Sequence, residues 1–252
     1  MRLNRFLARA GVASRRGAEA IIASGRVTVN GETVTHPAVA VDPQSDVVEV
    51  AGERVMLPGD FVYVALNKPP GYVVTMDDPQ GRPTIRDIVG DLGAGVVPIG
   101  RLDAPTEGLI LLTNDGELAH RVAHPSFELD KVYEVWARGT LAESERLRLE
   151  RGVELDGRIT TPAVVEIVSV ERDRTLARIT IHEGRKRQVR RMFELVGHPV
   201  RRLRRTHVGP LALGVLPPGR FRHLEEDETR ALREAVGLAP SGRQNGLPEG
   251  HR

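Results

Sequence analysis

The chain has 252 residues, of which 40% are hydrophobic and 28% charged, a composition typical of a folded globular protein. It contains no Cys, which excludes a disulfide scaffold, a Cys-ligated zinc site and a thiol nucleophile. No apolar run reaches membrane-spanning length, and the first residues alternate Arg with apolar side chains, unlike a signal peptide. We therefore expect a soluble cytoplasmic protein that does not associate with a membrane.

The net charge of +2 conceals two strongly basic segments. Residues 1–31 carry a charge of +5 and residues 185–205 a charge of +8, which leaves −11 for the remainder. Such a distribution is typical of proteins that bind polyanions, although a solvated Arg-rich surface is the simpler alternative. Only three of the 36 basic residues are Lys, namely Lys68, Lys131 and Lys186. Either a specific need for Lys at these positions or chance explains why they are not Arg.

The first 56 residues have the pattern of a small domain. Apolar residues at helical spacing predict a helix over residues 2–10, and Ser14 is a favourable N-cap for a second helix that ends at Gly25. The segments RVTVNGETV and DVVEVAGERV predict two β-hairpins, with turns at Asn-Gly and Ala-Gly. Residues 57–61, which include Pro and Gly, are the expected linker to the rest of the chain.

Residues 62–236 are expected to form a larger domain of the α+β class. Six segments rich in β-branched and apolar residues predict strands, namely VYVALN, VVPIG, GLILLTN, KVYEVWA, AVVEIVSVE and LARITIH. Helices are predicted over residues 84–89, 117–123, 141–151, 185–197 and 225–236. Because strands and helices do not alternate regularly, we expect a mixed, largely antiparallel central sheet with flanking helices. The Gly-rich segment 237–252 is predicted to be a disordered tail.

Both basic segments place cations at the start of a predicted helix. One helix begins with Arg15 and Arg16, and the other begins with Arg185, Lys186 and Arg187. Cations are unfavourable there, because the unpaired N–H groups already give that end of a helix positive character. A phosphate group would complete each site, so these residues are candidates for contacts to a nucleic-acid backbone.

Asp103 is the candidate for a catalytic side chain. It lies between the predicted strands VVPIG and GLILLTN, on a loop that also contains Pro and Gly. Ordinary turn chemistry also explains an Asp at such a position. A phosphatase motif of the form DxDxT, with an aspartyl-phosphate intermediate, is a further alternative, but Pro105 occupies its second acidic position.

Other motifs of catalysis or ligand binding are weak or missing. His120 and His124 have a spacing that can bind metal, but no third ligand is evident, so we expect a polar helix face and no metal site. The sequence has neither a P-loop nor a glycine-rich dinucleotide-binding motif. These absences argue against a nucleotide-hydrolysing motor and against a nicotinamide or flavin cofactor.

Several longer blocks, in a consistent order, resemble one enzyme family. They are NKPPGYVVT at 67–75, GRLDAPTEGLILLTNDG at 100–116, HPSFELDKVYEV at 124–135, EGRKRQVRRMFELVGHPVRRLRR at 183–205 and GRFRHLEEDE at 219–228. These blocks resemble the RsuA-like pseudouridine synthases, bacterial enzymes that isomerise single uridines in ribosomal RNA. Residues 1–50 resemble the α-L RNA-binding domain that often precedes the catalytic domain of this family.

The resemblance implies roles for three side chains at a catalytic centre. Asp103 matches the family's nucleophile, Tyr133 matches the residue that packs on the uracil and is a proposed general base, and Arg190 matches the partner of the catalytic carboxylate. The reaction exchanges no electrons or groups with a third molecule, so no cofactor is expected. The target nucleotide must flip out of the RNA to react, and Arg101 is expected to help hold it.

The resemblance also implies ribosomal RNA as the partner of an enzyme that we expect to be monomeric. We favour large-subunit RNA as the substrate. A small-subunit target and a non-catalytic RNA-binding role at the ribosome are the alternative hypotheses. The candidate RNA contacts are the basic residues Arg2, Arg5, Arg15, Arg16, Arg26, Lys68, Arg101, Lys131, Arg185, Lys186 and Arg187.

Overall fold

Two helices and a four-stranded sheet form the N-terminal part of the chain. The computed structural model describes residues 1–239. The helices are α1 (Leu3–Arg9) and α2 (Arg15–Ala23), and the strands are β1 (Val27–Val29), β2 (Glu32–Val34), β3 (Val48–Val50) and β4 (Glu53–Val55). The strands lie in the order β2-β1-β3-β4, and every neighbouring pair is antiparallel.

Local sequence signals account for this part of the fold. The backbone N–H of Gly17 donates to Ser14 Oγ at 3.1 Å, which confirms the predicted N-cap of α2. In both hairpins the two turn residues have positive φ, as a type I′ turn requires: 52° and 84° at Asn30 and Gly31, 52° and 83° at Ala51 and Gly52. The unit has its own apolar core, which includes Leu3, Phe6, Leu7, Ala18, Ile22, Val27, Val41 and Val48.

A nine-stranded sheet and a two-stranded hairpin follow. The strands, in chain order, are β5 (Tyr63–Lys68), β6 (Val97–Ile99), β7 (Glu107–Thr113), β8 (Lys131–Arg138), β9 (Glu154–Leu155), β10 (Arg158–Ile159), β11 (Val164–Glu171), β12 (Arg174–Ile181), β13 (Val200–Val208), β14 (Leu211–Ala212) and β15 (Phe221–His223). The large sheet has the order β11-β12-β8-β13-β7-β5-β15, with β14 beside β13 and β6 beside β7. Among the described strands only the β13–β7 pairing is parallel, which confirms the predicted mixed, largely antiparallel sheet.

The strand β13 lies at the centre of the sheet, and the sequence patterns did not predict it. Four Arg among its nine residues obscure the apolar alternation that identifies a strand. Its parallel pairing with β7 brings the two backbones close together at Gly108, which has a φ of +106°. A Cβ at Gly108 would lie 2.7 Å from the backbone nitrogen of Arg205, so the pairing requires glycine there.

Five further helices flank the large sheet, namely α3 (Arg86–Val89), α4 (Gly116–Ala123), α5 (Glu143–Arg151), α6 (Gln188–Leu195) and α7 (Glu226–Ala235). All five lie within the predicted helical segments or one residue beyond them, but α6 begins three residues later than predicted. Arg187 adopts the left-handed conformation with a φ of 53°, so Arg185, Lys186 and Arg187 lie in the preceding turn rather than in the helix. No helix within residues 1–239 is long and apolar enough to cross a membrane.

The sheet is buried on both faces. Alternate residues of β5 and β7 belong to two separate apolar clusters, one with Val64 and Ile110 and the other with Tyr63 and Leu109. The helix α6 covers the first face, and helices α4 and α7 cover the second. The loops that leave the sheet are therefore fixed to a rigid support.

Two contacts extend the folded part beyond the predicted boundaries. The guanidinium of Arg9 lies 4.7 Å from the ring centre of Phe61, which joins the N-terminal unit to the segment just before β5. At the other end, Leu238 packs against the second apolar cluster, so residues 237–239 continue the fold. The rest of the predicted tail, residues 240–252, lies outside the described residues.

Candidate active site

A cleft of about 1030 Å³ is the largest cavity described, and Asp103 lies in its wall. The antiparallel strands β6 and β7 are joined by residues 100–106, and Asp103 sits half-buried on this connection. The backbone N–H of Thr106 donates to the carbonyl of Asp103 at 2.9 Å, which closes the loop into a turn. The structure thus places Asp103 on a short loop between two buried strands, as the sequence predicted.

Residues of β5 and of the turn after it hold the loop that carries Asp103 through hydrogen bonds. The backbone N–H of Gly71 donates to the carbonyl of Ala104 at 2.7 Å. The Nζ of Lys68 donates to the same carbonyl at 3.1 Å and to the carbonyls of Pro69 and Tyr72 at 2.9 Å. The position of the Asp103 backbone is therefore set by contacts on the neighbouring strand.

Lys68 is not placed to bind RNA, which corrects the sequence-based interpretation. Its side chain is completely buried, with 0% exposure, and its ammonium group points at two carbonyls of the turn after β5 and at one carbonyl of the Asp103 loop. Burial lowers the pKa of Lys68 to about 8, against the opposing effect of the Asp103 and Glu107 carboxylates. Lys68 is a positioning residue for the loop.

Arg190 also holds the Asp103 loop, but the predicted pairing with the carboxylate is wrong for this structure. Its guanidinium donates to the carbonyl of Pro105 at 3.1 Å, to Thr106 Oγ1 at 3.2 Å and to the carbonyl of Val200 at 3.3 Å, and forms no ion pair with Asp103. The side chain is 8% exposed, and its Nε has no partner among residues 1–239. Burial, together with the nearby Arg187, lowers its pKa, which the charge of Asp103 partly offsets.

Tyr133 lines the same cleft as Asp103. It lies on β8, paired with Ile179 of β12 on one side and with Arg205 of β13 on the other, and it is 9% exposed. The structure thus brings Asp103 and Tyr133 into one cavity. Sequence reasoning missed Ile181, which also lines the cleft; an apolar residue within an alternating strand carries no signal of such a role.

The basic residues of segment 185–205 lie in the turn before α6, in α6 and in β13, and most of them have protein partners. Arg191 pairs with Asp156 at 2.7 Å, and Arg202 pairs with Glu107 and lies over the Trp136 ring. Within residues 1–239 only three of its nine basic side chains lack a hydrogen bond or ion pair, namely Lys186, Arg187 and Arg201.

Arg185 is a second correction to the predicted RNA contacts. Its guanidinium donates to the carbonyls of Arg158 and Ile159 at 2.9 and 2.8 Å, and its Nε donates to Glu183 at 3.1 Å. These hydrogen bonds connect the β9–β10 hairpin to the rim of the cleft. The guanidinium of Arg185 is therefore engaged in stabilising the fold. Lys186 and Arg187 are exposed on the same rim and line the cleft.

The other predicted RNA contacts fall into two groups. Arg101 is exposed at the mouth of the cleft, and Lys131 is half-buried on β8, with Nζ 3.4 Å from the carbonyl of His182. Exposed side chains on the N-terminal unit form the second group, which consists of Arg2, Arg5, Arg15, Arg16 and Arg26.

His120 and His124 make a stacked pair rather than part of a larger ligand group. Their ring centres are 5.1 Å apart, and Phe127 meets both rings edge-on. No group of three or more His, Asp or Glu within residues 1–239 is arranged to hold a metal ion.

The cleft brings together a carboxylate, an aromatic ring and several cations. A carboxylate on a rigid loop can act as a nucleophile or stabilise positive charge, and a tyrosine ring in the same cleft can stack on a base. Exposed cations at the rim, from Arg101, Lys186 and Arg187, can hold a phosphate backbone.

Comparison with known proteins identifies the family. A model described as RNA pseudouridylate synthase matches residues 62–195, and a model of the S4 domain matches residues 1–48. An uncharacterized RNA pseudouridine synthase of Aquifex aeolicus is 46% identical over 239 residues, 94% of this chain and 96% of that protein. Ribosomal large subunit pseudouridine synthase B of Bacillus subtilis is 42% identical over 234 residues, 92% of this chain and 95% of that protein.

A solved structure supports the same assignment. A crystal structure of a pseudouridylate synthase superposes with a TM-score of 0.67 and 33% identity, covering 92% of this chain and 99% of its own. This agreement extends over both the N-terminal unit and the large sheet. The chain is therefore an enzyme of the RNA pseudouridylate synthase family, as the sequence blocks predicted, and not an aspartyl-phosphate phosphatase.

Proposed function

We propose that this enzyme converts one uridine of large-subunit ribosomal RNA to pseudouridine, with Asp103 as the catalytic carboxylate. The observation that carries the proposal is the shared cleft, which is lined both by the fixed Asp103 loop and by Tyr133. Two relatives, from Bacillus subtilis and Pseudomonas aeruginosa, are named ribosomal large subunit pseudouridine synthase B and are 42% and 41% identical. The names of these relatives favour the large-subunit target over the small-subunit one.

The proposed reaction rearranges bonds within one nucleotide. The bond between C1′ of the ribose and N1 of uracil breaks, the uracil turns, and a bond between C1′ and C5 forms. The hydrogen on C5 leaves as a proton and N1 gains one, so atoms and charge balance without a cofactor. Asp103 would stabilise or attack the electron-deficient centre that bond cleavage creates, as carboxylates do in glycosidases.

The protein contributes position. Lys68 and Arg190 hold the residues that directly follow Asp103, so the carboxylate does not need to be reorganised during the reaction. Tyr133 offers a ring on which a flipped uracil can stack, and we assign it the additional role of a general base. Arg101, Lys186 and Arg187 would contact the backbone around the flipped nucleotide.

We assign docking on the RNA to residues 1–56, which we treat as a separate RNA-binding domain. Its exposed Arg side chains are placed to bind phosphates, and the contact between Arg9 and Phe61 joins it to the catalytic domain. We propose that one copy of the chain acts on the RNA in the cytoplasm. Sedimentation of the purified enzyme at micromolar concentration should give a mass near 27.6 kDa.

Release of tritium from ribosomal RNA labelled at uracil C5 tests the function. The wild-type protein should release tritium, and Asp103→Asn should reduce the rate by at least about 1,000-fold, since the catalytic carboxylate is lost. Asp77→Asn makes the same chemical change on an exposed residue outside the cleft and should leave the rate unchanged. Equal rates for wild type and Asp103→Asn would refute the proposed role of Asp103.

Mapping of pseudouridine by carbodiimide and primer extension identifies the target. Ribosomal RNA from a strain that lacks the gene should miss one pseudouridine in the large-subunit RNA, and the purified enzyme should restore it. A missing site in the small-subunit RNA would contradict the proposed target while leaving the chemistry intact.

A further inference from the structure

A second cavity of about 110 Å³ adjoins the catalytic cleft at Tyr133. Arg101, Tyr133, Gly100 and Gly184 line both cavities, so the two are parts of one surface. The remaining lining is apolar apart from two cations, Lys131 and Arg205. No carboxylate lines this second cavity, which contrasts with the catalytic cleft, where Asp103 and Asp78 are present.

The cations of this cavity have hydrogen-bond donors without protein acceptors. Arg205 is only 5% exposed and donates from Nε to the carbonyl of Leu109 at 2.7 Å, but its two terminal nitrogens have no partner among residues 1–239. Lys131 has one long contact, at 3.4 Å, to the carbonyl of His182. The two terminal nitrogens of Arg205 are not fully enclosed by protein, so an acceptor that enters the cavity can complete their hydrogen bonds.

The two positive charges also repel each other. Burial lowers the pKa of Lys131 and the charge of Arg205 lowers it further, while Asp130 opposes both effects. Arg101 adds a third positive charge at the mouth of the cavity. An anion between Lys131 and Arg205 would offset the repulsion between the two charges and accept hydrogen bonds from their unpaired N–H groups.

The volume sets a limit on the size of that anion. A protein cavity of about 150 Å³ holds a ligand as large as benzene, so the second cavity has room for one tetrahedral oxyanion but not for a nucleobase and its sugar. Among anions, a phosphodiester offers two unesterified oxygens, one for each of the two cations. Arg also favours phosphate through its planar pair of donors.

We propose that the second cavity binds the backbone phosphate next to the flipped uridine, held between Lys131 and Arg205. The inference rests on the proposed function, because it takes the ligand to be the RNA whose uridine occupies the adjoining cleft. Tyr133 lines both cavities, so its ring would meet the uracil in the cleft while the phosphate lies beside it in the second cavity. This contact fixes the nucleotide relative to Asp103.

Ethylation interference of the ribosomal RNA tests the phosphate contact. The transcript is ethylated sparsely at its phosphates with ethylnitrosourea, which removes their charge, and RNA bound by the enzyme is compared with unbound RNA. The wild-type enzyme should exclude RNA ethylated at one phosphate beside the uridine it converts. Lys131→Met should bind that RNA and the intact RNA equally well, and Lys131→Arg should restore the discrimination.

The affinity gives an independent readout. Lys131→Met should bind ribosomal RNA about tenfold more weakly, or about 1.4 kcal/mol, and the slope of log Kd against log salt should fall by about 0.7 to 0.9. Arg148→Met is the matched control, since Arg148 is exposed on α5, has no partner among residues 1–239, and loses the same charge. It should change neither the slope nor the interference pattern.

Two results would overturn the proposal. One is interference that persists at the same phosphate in Lys131→Met. The other is binding of inorganic phosphate to the wild-type enzyme without RNA, seen by 31P line broadening, combined with no ethylation interference; the cavity would then take free phosphate. A wild-type enzyme that shows interference but releases no tritium would refute the proposed function and leave the phosphate site standing.

Discussion

Lys68 is hydrogen-bonded to the backbone of the residue that follows Asp103. The Nζ of Lys68 donates directly to the carbonyl oxygen of Ala104 at 3.1 Å, and the Lys68 side chain is fully buried. The end of strand β5 therefore holds the backbone on which the catalytic carboxylate stands. A buried ammonium group is costly to keep, and its three carbonyl acceptors are what make it tolerable here.

Replacing Lys68 should impair catalysis without affecting RNA binding. Lys68→Met removes the hydrogen bond to Ala104 in the Asp103 loop and two hydrogen bonds to the turn after β5, and a displacement of about 1 Å at a catalytic group costs about 100-fold in rate. We expect kcat for tritium release to fall by about that factor, with the Kd for RNA unchanged. A loss of RNA affinity that accounted for the whole effect would show that Lys68 contacts RNA after all.

The buried ammonium also predicts a pH dependence of stability. The pKa of Lys68 is about 8 in the folded protein, below its usual 10.5, so between these values the unfolded chain binds more protons than the folded one. The free energy of unfolding of the wild type, relative to Lys68→Met, should therefore rise from pH 8 to pH 10.5 and be constant below pH 8. Urea titrations at each pH measure the difference, and a difference that stayed constant from pH 8 to pH 10.5 would contradict the lowered pKa of Lys68.

Arg190 supports the same loop at the two residues that follow Ala104. In Arg190→Lys a single ammonium group replaces the planar guanidinium, so it cannot reach the carbonyls of Pro105 and Val200 together. We expect kcat to decrease at least tenfold while KM stays the same, because the buried side chain does not touch RNA. The adjacent Arg191→Lys alters only a surface pair with Asp156 and should match the wild type in single-turnover assays.

The local elements were predictable from sequence because short-range signals define them. The first hairpin follows from Asn30 and Gly31, both of which readily adopt positive φ, the second follows from Gly52 between two β-branched segments, and the α2 boundary follows from Ser14. The loop of Asp103 was predictable because two apolar strands enclose it. In each case the determining contacts lie within a few residues of one another.

The partners of charged residues were not predictable in the same way. The count of +8 over residues 185–205 says nothing about which Arg meets a carboxylate, a carbonyl or solvent. Strand β13 brings Arg202 to Glu107 and buries Arg205 beside Leu109, pairings separated by about a hundred residues of sequence. The role of Lys68 was hidden for the same reason, since its acceptor at Ala104 is distant in the chain.

The first turn of α2 offers a test that separates RNA binding from stability. Arg15 and Arg16 are exposed at the positive end of this helix, so their charges cost about 0.3 to 1 kcal/mol each. The double variant Arg15→Gln, Arg16→Gln should be at least as stable as the wild type, yet bind ribosomal RNA with a salt slope lower by about 1.4 to 1.8.

A control for this test needs the same change in net charge. Arg174→Gln, Arg178→Gln removes two exposed Arg from β12 of the large sheet, where each pairs with a Glu. This variant should retain the salt slope of the wild type. An equal loss of slope in both double variants would show that total charge, rather than the position of Arg15 and Arg16, governs the affinity.

Gly108 should tolerate no side chain, because it is the point at which β7 and β13 approach most closely. In Gly108→Ala the new Cβ would lie 2.7 Å from Arg205 N, and Ala would have to adopt a φ of +106°. Steric overlap and backbone strain together should lower the free energy of unfolding by about 3 kcal/mol or more. Gly59→Ala, where a Cβ meets nothing within 4 Å and φ is not positive, should change it by less than about 0.5 kcal/mol in the same urea titration. If Gly108→Ala proved equally stable, the parallel pairing of β7 with β13 at this position would be wrong.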